Sequence, residues 1–204
     1  MSTAQKQLLA NLDKSAYAEN TIVVIFSDHG WQLGEKTDWS KFALWENVIN
    51  SVLFIKAPKG VPGLNSGNSS HNCISNVSLV DIFPTLTELC GIAPKEGISG
   101  NSLVPLLSDP LLDWSYPVIT SLGSNHYSVR YQDWHYINYN GQEEELYKQT
   151  DDPEEWTNLA IEPAYDEIKM KLKAMIPEIR HTLVKTDNVR WEDVLSGKTK
   201  MYKN

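Results

Sequence analysis

The apolar positions fall into runs whose period changes along the chain. In residues 5–17, Leu8, Leu9, Leu12 and Ala16 share one helical stripe, with Lys6, Asn11, Asp13 and Lys14 elsewhere. Asn20 is placed to end that helix in the left-handed conformation. Residues 21–26, Thr-Ile-Val-Val-Ile-Phe, form an unbroken apolar run rich in β-branched side chains. Such a run predicts a strand buried on both faces, as in a parallel sheet covered by helices. A helix leading into a buried strand is half of a crossover unit. The strand that would precede it is not in the sequence, so the chain is expected to start inside a domain. Residues 51–55 predict a second buried strand, closed by Ala57-Pro58. Residues 59–72 predict a loop rich in Gly, Ser and Asn, with His71 at the surface. Residues 81–90 predict a helix with Asp81 as N-cap and Pro84 in the first turn. Ile82, Phe83, Leu86 and Leu89 form its apolar face, and Gly91 is its stop.

Beyond residue 116, which opens a short strand candidate, the texture changes. Residues 127–131 and 134–139 are aromatic, alternating runs separated by Gln132-Asp133, a hairpin signature. Asn140-Gly141 marks a second tight turn, and residues 145–147 a third strand. Residues 165–176 predict an amphipathic helix with Ile168, Leu172 and Met175 on one side, ended by Pro177. Trp191 is the expected anchor of a tail whose last residues, 197–204, carry no structural pattern. The expected class is α/β, with a catalytic-type α/β part over residues 1–122. A small antiparallel sheet plus helix follows over residues 123–204.

Composition narrows the function. The 204 residues carry a net charge of −8, with 22% charged and 41% apolar residues. The chain is therefore globular, and no clustered positive charge marks it as a general binder of nucleic acid or membrane surfaces. No apolar stretch approaches the roughly 20 residues of a membrane helix, and no signal peptide is evident in residues 1–17. Cys73 and Cys90 are isolated, and buried free thiols are expected.

Candidate chemistry gathers where the first strand stops, at Ser27-Asp28-His29-Gly30. In open α/β sheets, ligands bind outside the carboxyl ends of strands. A carboxylate and an imidazole there, with a glycine allowing close backbone approach, are able to hold a metal. Alone, the tetrapeptide reads first as an ordinary strand-ending turn.

The longer pattern Ser-Asp-His-Gly-Trp-x-Leu-Gly-Glu over residues 27–35, followed by Trp39-x-Lys41, resembles the C-terminal metal-and-sulfate loop of the sulfatases. The iduronate-2-sulfatase-like enzymes of the alkaline-phosphatase-like superfamily are the nearest in pattern. Lys36 departs from it, since many relatives carry His there. Residues 79–86, 97–107, 128–130 and 145–147, and the Asp-Pro-x-Glu…Asn-Leu stretch from Asp152, also resemble sulfatase segments. Asp151-Asp152 is thus a turn and not the family's paired metal aspartates.

The resemblance implies a partial sulfatase sheet and a sulfated small molecule or glycan as substrate. It also implies calcium, with Asp28 and His29 among its ligands, and Lys41 on the sulfate. The formylglycine nucleophile would be made in a Cys-x-Pro-Ser-Arg motif, which this sequence lacks. Trp31, His126 and the loop after Lys59 are weaker candidates for substrate contact. Two expectations stay open: the C-terminal portion of an enzyme, inactive without its missing N-terminal half, or a non-catalytic binding module that keeps the fold. Self-association through the uncovered first strand is expected in either case. Full-length relatives are usually exported.

Overall fold

The computed structural model describes residues 2–58, 60–61, 64, 72–123 and 125–178. His71, most of the loop after Lys59, Trp191 and the tail lie outside them. Two antiparallel sheets organise the chain: a two-stranded β1-β2 and a four-stranded β3-β4-β5-β6. Helices lie between and beside them, giving a mixed α/β arrangement.

Helix α1 (Thr3–Asp13) begins with a capping box, in which the Ser2 side chain and the Gln5 side chain each take the other's backbone N–H. It ends earlier than expected. Lys14 follows in a right-handed conformation, and the Ser15 hydroxyl donates to Leu12 O. Asn20 closes a separate 3₁₀ turn (Ala18–Asn20) and is not left-handed. No residue of α1 is buried.

Strand β1 (Val23–Phe26) pairs antiparallel with β2 (Leu53–Lys56), from Val23 opposite Lys56 to Phe26 opposite Leu53. The expected burial on both faces is not found, and the neighbour that is present is antiparallel. Both strands are half-buried apart from an exposed Phe26, because among the described residues no further strand joins this sheet. The short helix α2 (Glu46–Ile49) precedes β2 and buries Val48.

Helix α3 (Ile82–Leu89) is entered through a 3₁₀ turn (Leu79–Asp81). The Asp81 carboxylate does not cap α3. It accepts from Ser78 N and Asn101 N, both at 2.8 Å, and so ties two loops together. On α3 itself Pro84, Thr85 and Leu89 are buried and Phe83 is exposed. Gly91 has φ +66°, the left-handed stop. Both cysteines are exposed free thiols, not buried ones; Cys90 sits at the C-cap of α3, where the chain turns to the surface. Helix α4 (Val104–Ser108) buries Val104 and Leu106.

The second sheet comprises β3 (Val118–Leu122), β4 (His126–Tyr131), β5 (Trp134–Tyr139) and β6 (Glu143–Lys148). By pairing, β3 goes with this sheet although it precedes residue 123. Asn140 and Gly141 both have positive φ, and Gln142 N donates to Tyr139 O, which closes the three-residue connection from Tyr139 to Glu143. Because side chains alternate across a strand, the sheet has two distinct faces. Val129, Tyr136 and Leu146 lie opposite one another and are fully buried. Helix α5 (Asp166–Lys173) packs Ile168 and Leu172 on that row, with Ala160 and Met175 beside them. Burying a leucine such as Leu172 contributes about 1.5–3 kcal/mol.

The opposite face carries the cross-strand row Arg130–His135–Tyr147. A row of this polarity would ordinarily face water. Here Leu44, Trp45 and Glu46 cover it, and His135 has no exposure at all. That contact joins the two sheets.

Candidate active site

The turn after β1 is built by its own hydrogen bonds. Ser27 N donates to Val52 O and extends the ladder by one rung. The Ser27 hydroxyl donates to His29 O at 2.8 Å, which folds the chain back. Gly30 N then donates to Val48 O and Trp31 N to Asn47 O, fastening the turn to α2. A Cβ on Gly30 would lie 2.0 Å from Asn47 O. The glycine is therefore required by close approach to the end of α2, rather than to a ligand.

Asp28 projects outward with its side chain 81% exposed, whereas the His29 ring is 30% exposed. The His29 Nδ1 lies 2.6 Å from Gly30 O and donates to it. That fixes the tautomer and leaves Nε2 with a free lone pair. Lys41 Nζ stands 3.0 Å from this Nε2, and Asp28 Oδ2 stands 3.6 Å from it. The Trp31 ring lies 6.1 Å from the imidazole. Four residues singled out in the sequence thus meet at one exposed corner. The fifth, His126, lies on β4 of the other sheet, edge-on to Tyr139.

The corner has the chemistry of half a site. Asp28 offers carboxylate oxygen and His29 an imidazole lone pair, both suitable for a divalent cation. Calcium takes six to eight donors, so these two fit one side of its shell and not the whole. Lys41 donates to the same lone pair a metal would use; the ammonium and a metal cannot share it.

Lys41 is carried by a loop that is bonded within itself. Gly34 N donates to Asp38 O, and Gln32 N to Ser40 O. Asp38 accepts from Trp39 N and from the Ser40 hydroxyl. Gly34, at φ +116°, lies under the Trp39 ring.

A second cluster was not foreseen. Glu46, His135 and Glu155 present ligand atoms within 4.8 Å of one another. Every one of these atoms is already committed. His135 Nε2 is 2.6 Å from the Ser128 hydroxyl, and its Nδ1 is bonded to Glu155 Oε1. Glu155 Oε1 also accepts from Gln149, and Oε2 from Glu46 N. The Glu46 carboxylate lies 3.1 Å from the Arg130 guanidinium and accepts from Asn50. Arg130 supplies the cation here, and the cluster reads as a lock rather than a metal centre. Burial pushes the Glu155 carboxyl up. The His135 hydrogen bond and charge, with Glu46 N–H and Gln149, outweigh that and hold it below the ordinary range. The sequence signals for this cluster are faint: a histidine in the middle of an aromatic strand, and an acid two residues after Asp-Pro.

Residues 34–182 match the family described as N-sulphoglucosamine sulphohydrolase, C-terminal. The chain belongs to this sulfatase family. Among curated relatives, a sulfatase of Formosa agariphila is 35% identical over 178 residues, covering 86% of this chain and 33% of that protein. A Δ4,5-hexuronate-2-O-sulfatase of Bacteroides thetaiotaomicron is 30% identical, over 84% of this chain and 37% of that one. A solved structure in complex with its substrate D-glucosamine-2-N,6-O-disulfate superposes with a TM-score of 0.68 at 28% identity. It matches 83% of this chain and 36% of its own. A phosphonate monoester hydrolase of Agrobacterium radiobacter, at 22% identity and TM-score 0.69, shares the fold. The chain thus spans about a third of these relatives' length.

Proposed function

We propose that this chain forms the C-terminal wall of a sulfate-ester hydrolase site, with Asp28 and His29 as metal ligands and Lys41 as the sulfate contact. The convergence of Lys41 Nζ and Asp28 Oδ2 on His29 Nε2, at 3.0 and 3.6 Å, carries this reading. Calcium, when bound, would polarise the sulfate oxygens. The Asp28 carboxylate is an acceptor-only ligand for such a hard cation. His29 serves as a neutral ligand through Nε2, because Gly30 O holds its other nitrogen protonated. With a metal on Nε2, the Lys41 ammonium, 3.0 Å away, would be free to hydrogen-bond a sulfate oxygen and to stabilise negative charge on the oxygen of the leaving group.

The substrate class is a sulfated sugar, by analogy with the hexuronate and glucosamine sulfates named for the relatives. An iduronate-2-sulfatase-like specificity is one form of this; a 2-O glycosaminoglycan sulfatase is among the similar structures. Trp31, exposed and tilted beside His29, is available to contact a sugar face; His126 is the weaker candidate. The chain divides near residue 122 into a catalytic wall and a supporting subdomain, with β3 (Val118–Leu122) lending its edge to the sheet of the latter. The formylglycine nucleophile and the remaining calcium ligands belong to the portion corresponding to the other two thirds of the relatives. The chain alone therefore turns over no sulfate ester. Exposed Leu8, Phe26 and Val52, with the open edges of β1-β2, form the face for that portion. Without it, the same face drives self-association; a clean monomer at high concentration by sedimentation would contradict this. Such an enzyme is expected to act outside the cytoplasm, as exported relatives do.

The test is a calcium titration of the chain followed through the imidazole nitrogens by NMR. A saturable shift of His29 Nε2, lost in Asp28→Ala, is expected. A response at His135 instead, or an unchanged response in Asp28→Ala, would overturn the assignment.

A further inference from the structure

The loop bearing Lys41 is tied at both ends to one residue more than a hundred positions away. At one end, Lys36 Nζ donates to Glu155 O and, at 3.1 Å, to the Tyr147 hydroxyl. The ammonium also lies over the Trp45 and Tyr147 rings, 5.1 and 4.7 Å from their centroids. At the other end, Glu46 N donates to Glu155 Oε2 at 3.0 Å. Residues 36 and 46 bracket Trp39 and Lys41. Glu155 is itself 1% exposed and has φ +59°, a conformation uncommon for any residue but glycine. Its remaining oxygen is fixed by His135 and Gln149, and His135 by Ser128. Ser128, His135 and Glu155 have the connectivity of a hydrolytic triad. All three are essentially unexposed, so no substrate reaches the hydroxyl.

We propose that Glu155, held by His135, is a positioning residue that clamps the Lys41 loop against the four-stranded sheet through Lys36 and Glu46. This rests on the reading of Lys41 as the sulfate contact and names the device that holds it in register. The backbone carbonyl and the carboxylate of one rigid residue act as two fixed points. A loop of nine intervening positions, 37–45, is thereby restrained without a covalent staple. Restraint of this kind matters at a site where a misplacement of about 1 Å costs on the order of 100-fold in rate.

The test is amide hydrogen exchange of the full chain, read by mass spectrometry, with Lys36→Met, Glu155→Ala and Glu155→Gln. Methionine keeps an unbranched stem against Trp45 and Tyr147 but removes the donor. Exchange in residues 34–46 is expected to rise at least tenfold in Lys36→Met and Glu155→Ala. Strands β4 to β6 should stay protected. Glu155→Gln, which keeps an oxygen for Glu46 N–H, should restore most of the protection. Acylation of Lys41 by an N-hydroxysuccinimide ester should change in step, while that of Lys14 stays constant. Equal acceleration in all segments, or loop exchange within twofold of the unsubstituted chain, would overturn the clamp. If Glu155→Ala does not fold, Lys36→Met decides alone. A loosened loop in a chain whose His29 shifts ignore calcium would count against the proposed function and leave the clamp standing.

Discussion

Replacing His135 by alanine is the sharpest perturbation of the contact between the two halves of this chain. The ring is fully buried and both its nitrogens are bonded, to Glu155 Oε1 and to the Ser128 hydroxyl. Its loss leaves a carboxylate with 1% exposure facing a cavity. Breaking a buried pair by removing one partner costs about 3–5 kcal/mol, because the other group is stranded. Against a typical total of about 5–15 kcal/mol, that is about a fifth or more of the stability. Glu155→Ala should cost a similar amount, since it strands His135 and the N–H of Glu46 at the start of α2. The double substitution strands neither partner of the pair. It should therefore cost less than the two singles added, by about 2 kcal/mol. Urea unfolding at neutral pH, followed by tryptophan fluorescence, gives each value from midpoint and slope. Additivity within about 0.5 kcal/mol would refute the reasoning, because it would mean that His135 and Glu155 contribute independently.

Three other outcomes follow from the same structure. Gly30→Ala drives a Cβ into Asn47 O; it should cost about 1–3 kcal/mol in urea unfolding and alter the His29 ring shifts. Leu172→Ala, at a position with no exposure between α5 and the sheet, should cost about 2–5 kcal/mol by the same assay without disturbing the His29 shifts. Acid should weaken the fold through Glu155. Its folded value lies below its ordinary 4.5, so its contribution is complete above that ordinary value. The contribution is lost as pH falls through the folded value. A pH series of urea midpoints should therefore decline below about pH 4.5, and Glu155→Gln should flatten that decline.

The C-terminal sheet was legible because its signals are local. Asn140-Gly141 demands two positive φ values and receives them, and the aromatic alternation of residues 127–139 sets both strands. The corner of Asp28, His29 and Lys41 was legible as a motif, although periodicity gave no reason for Lys41 to meet His29. The strand of residues 21–26 misled because an apolar run reports the burial a strand needs. It does not report which partner provides it; here β2 supplies one antiparallel edge, and among the described residues nothing covers Phe26. Asp81 misled because a carboxylate before a helix reads as a cap, while its bonds go to Ser78 and Asn101. The clamp was hidden for a different reason. Lys36, His135 and Glu155 act across separations of 20 to 119 residues, and pattern within a window carries no such information.

The central claim is that Asp28, His29 and Lys41 make one wall of a sulfate-ester pocket. The most direct measurement supplies the other wall. The chain would be joined to the upstream two thirds of a sulfatase relative carrying the nucleophile motif, and sulfate release from a sulfated glucosamine or hexuronate would be followed. Release that falls at least a hundredfold with Lys41→Ala and with Asp28→Ala is the predicted result. Release undiminished by either substitution would contradict it.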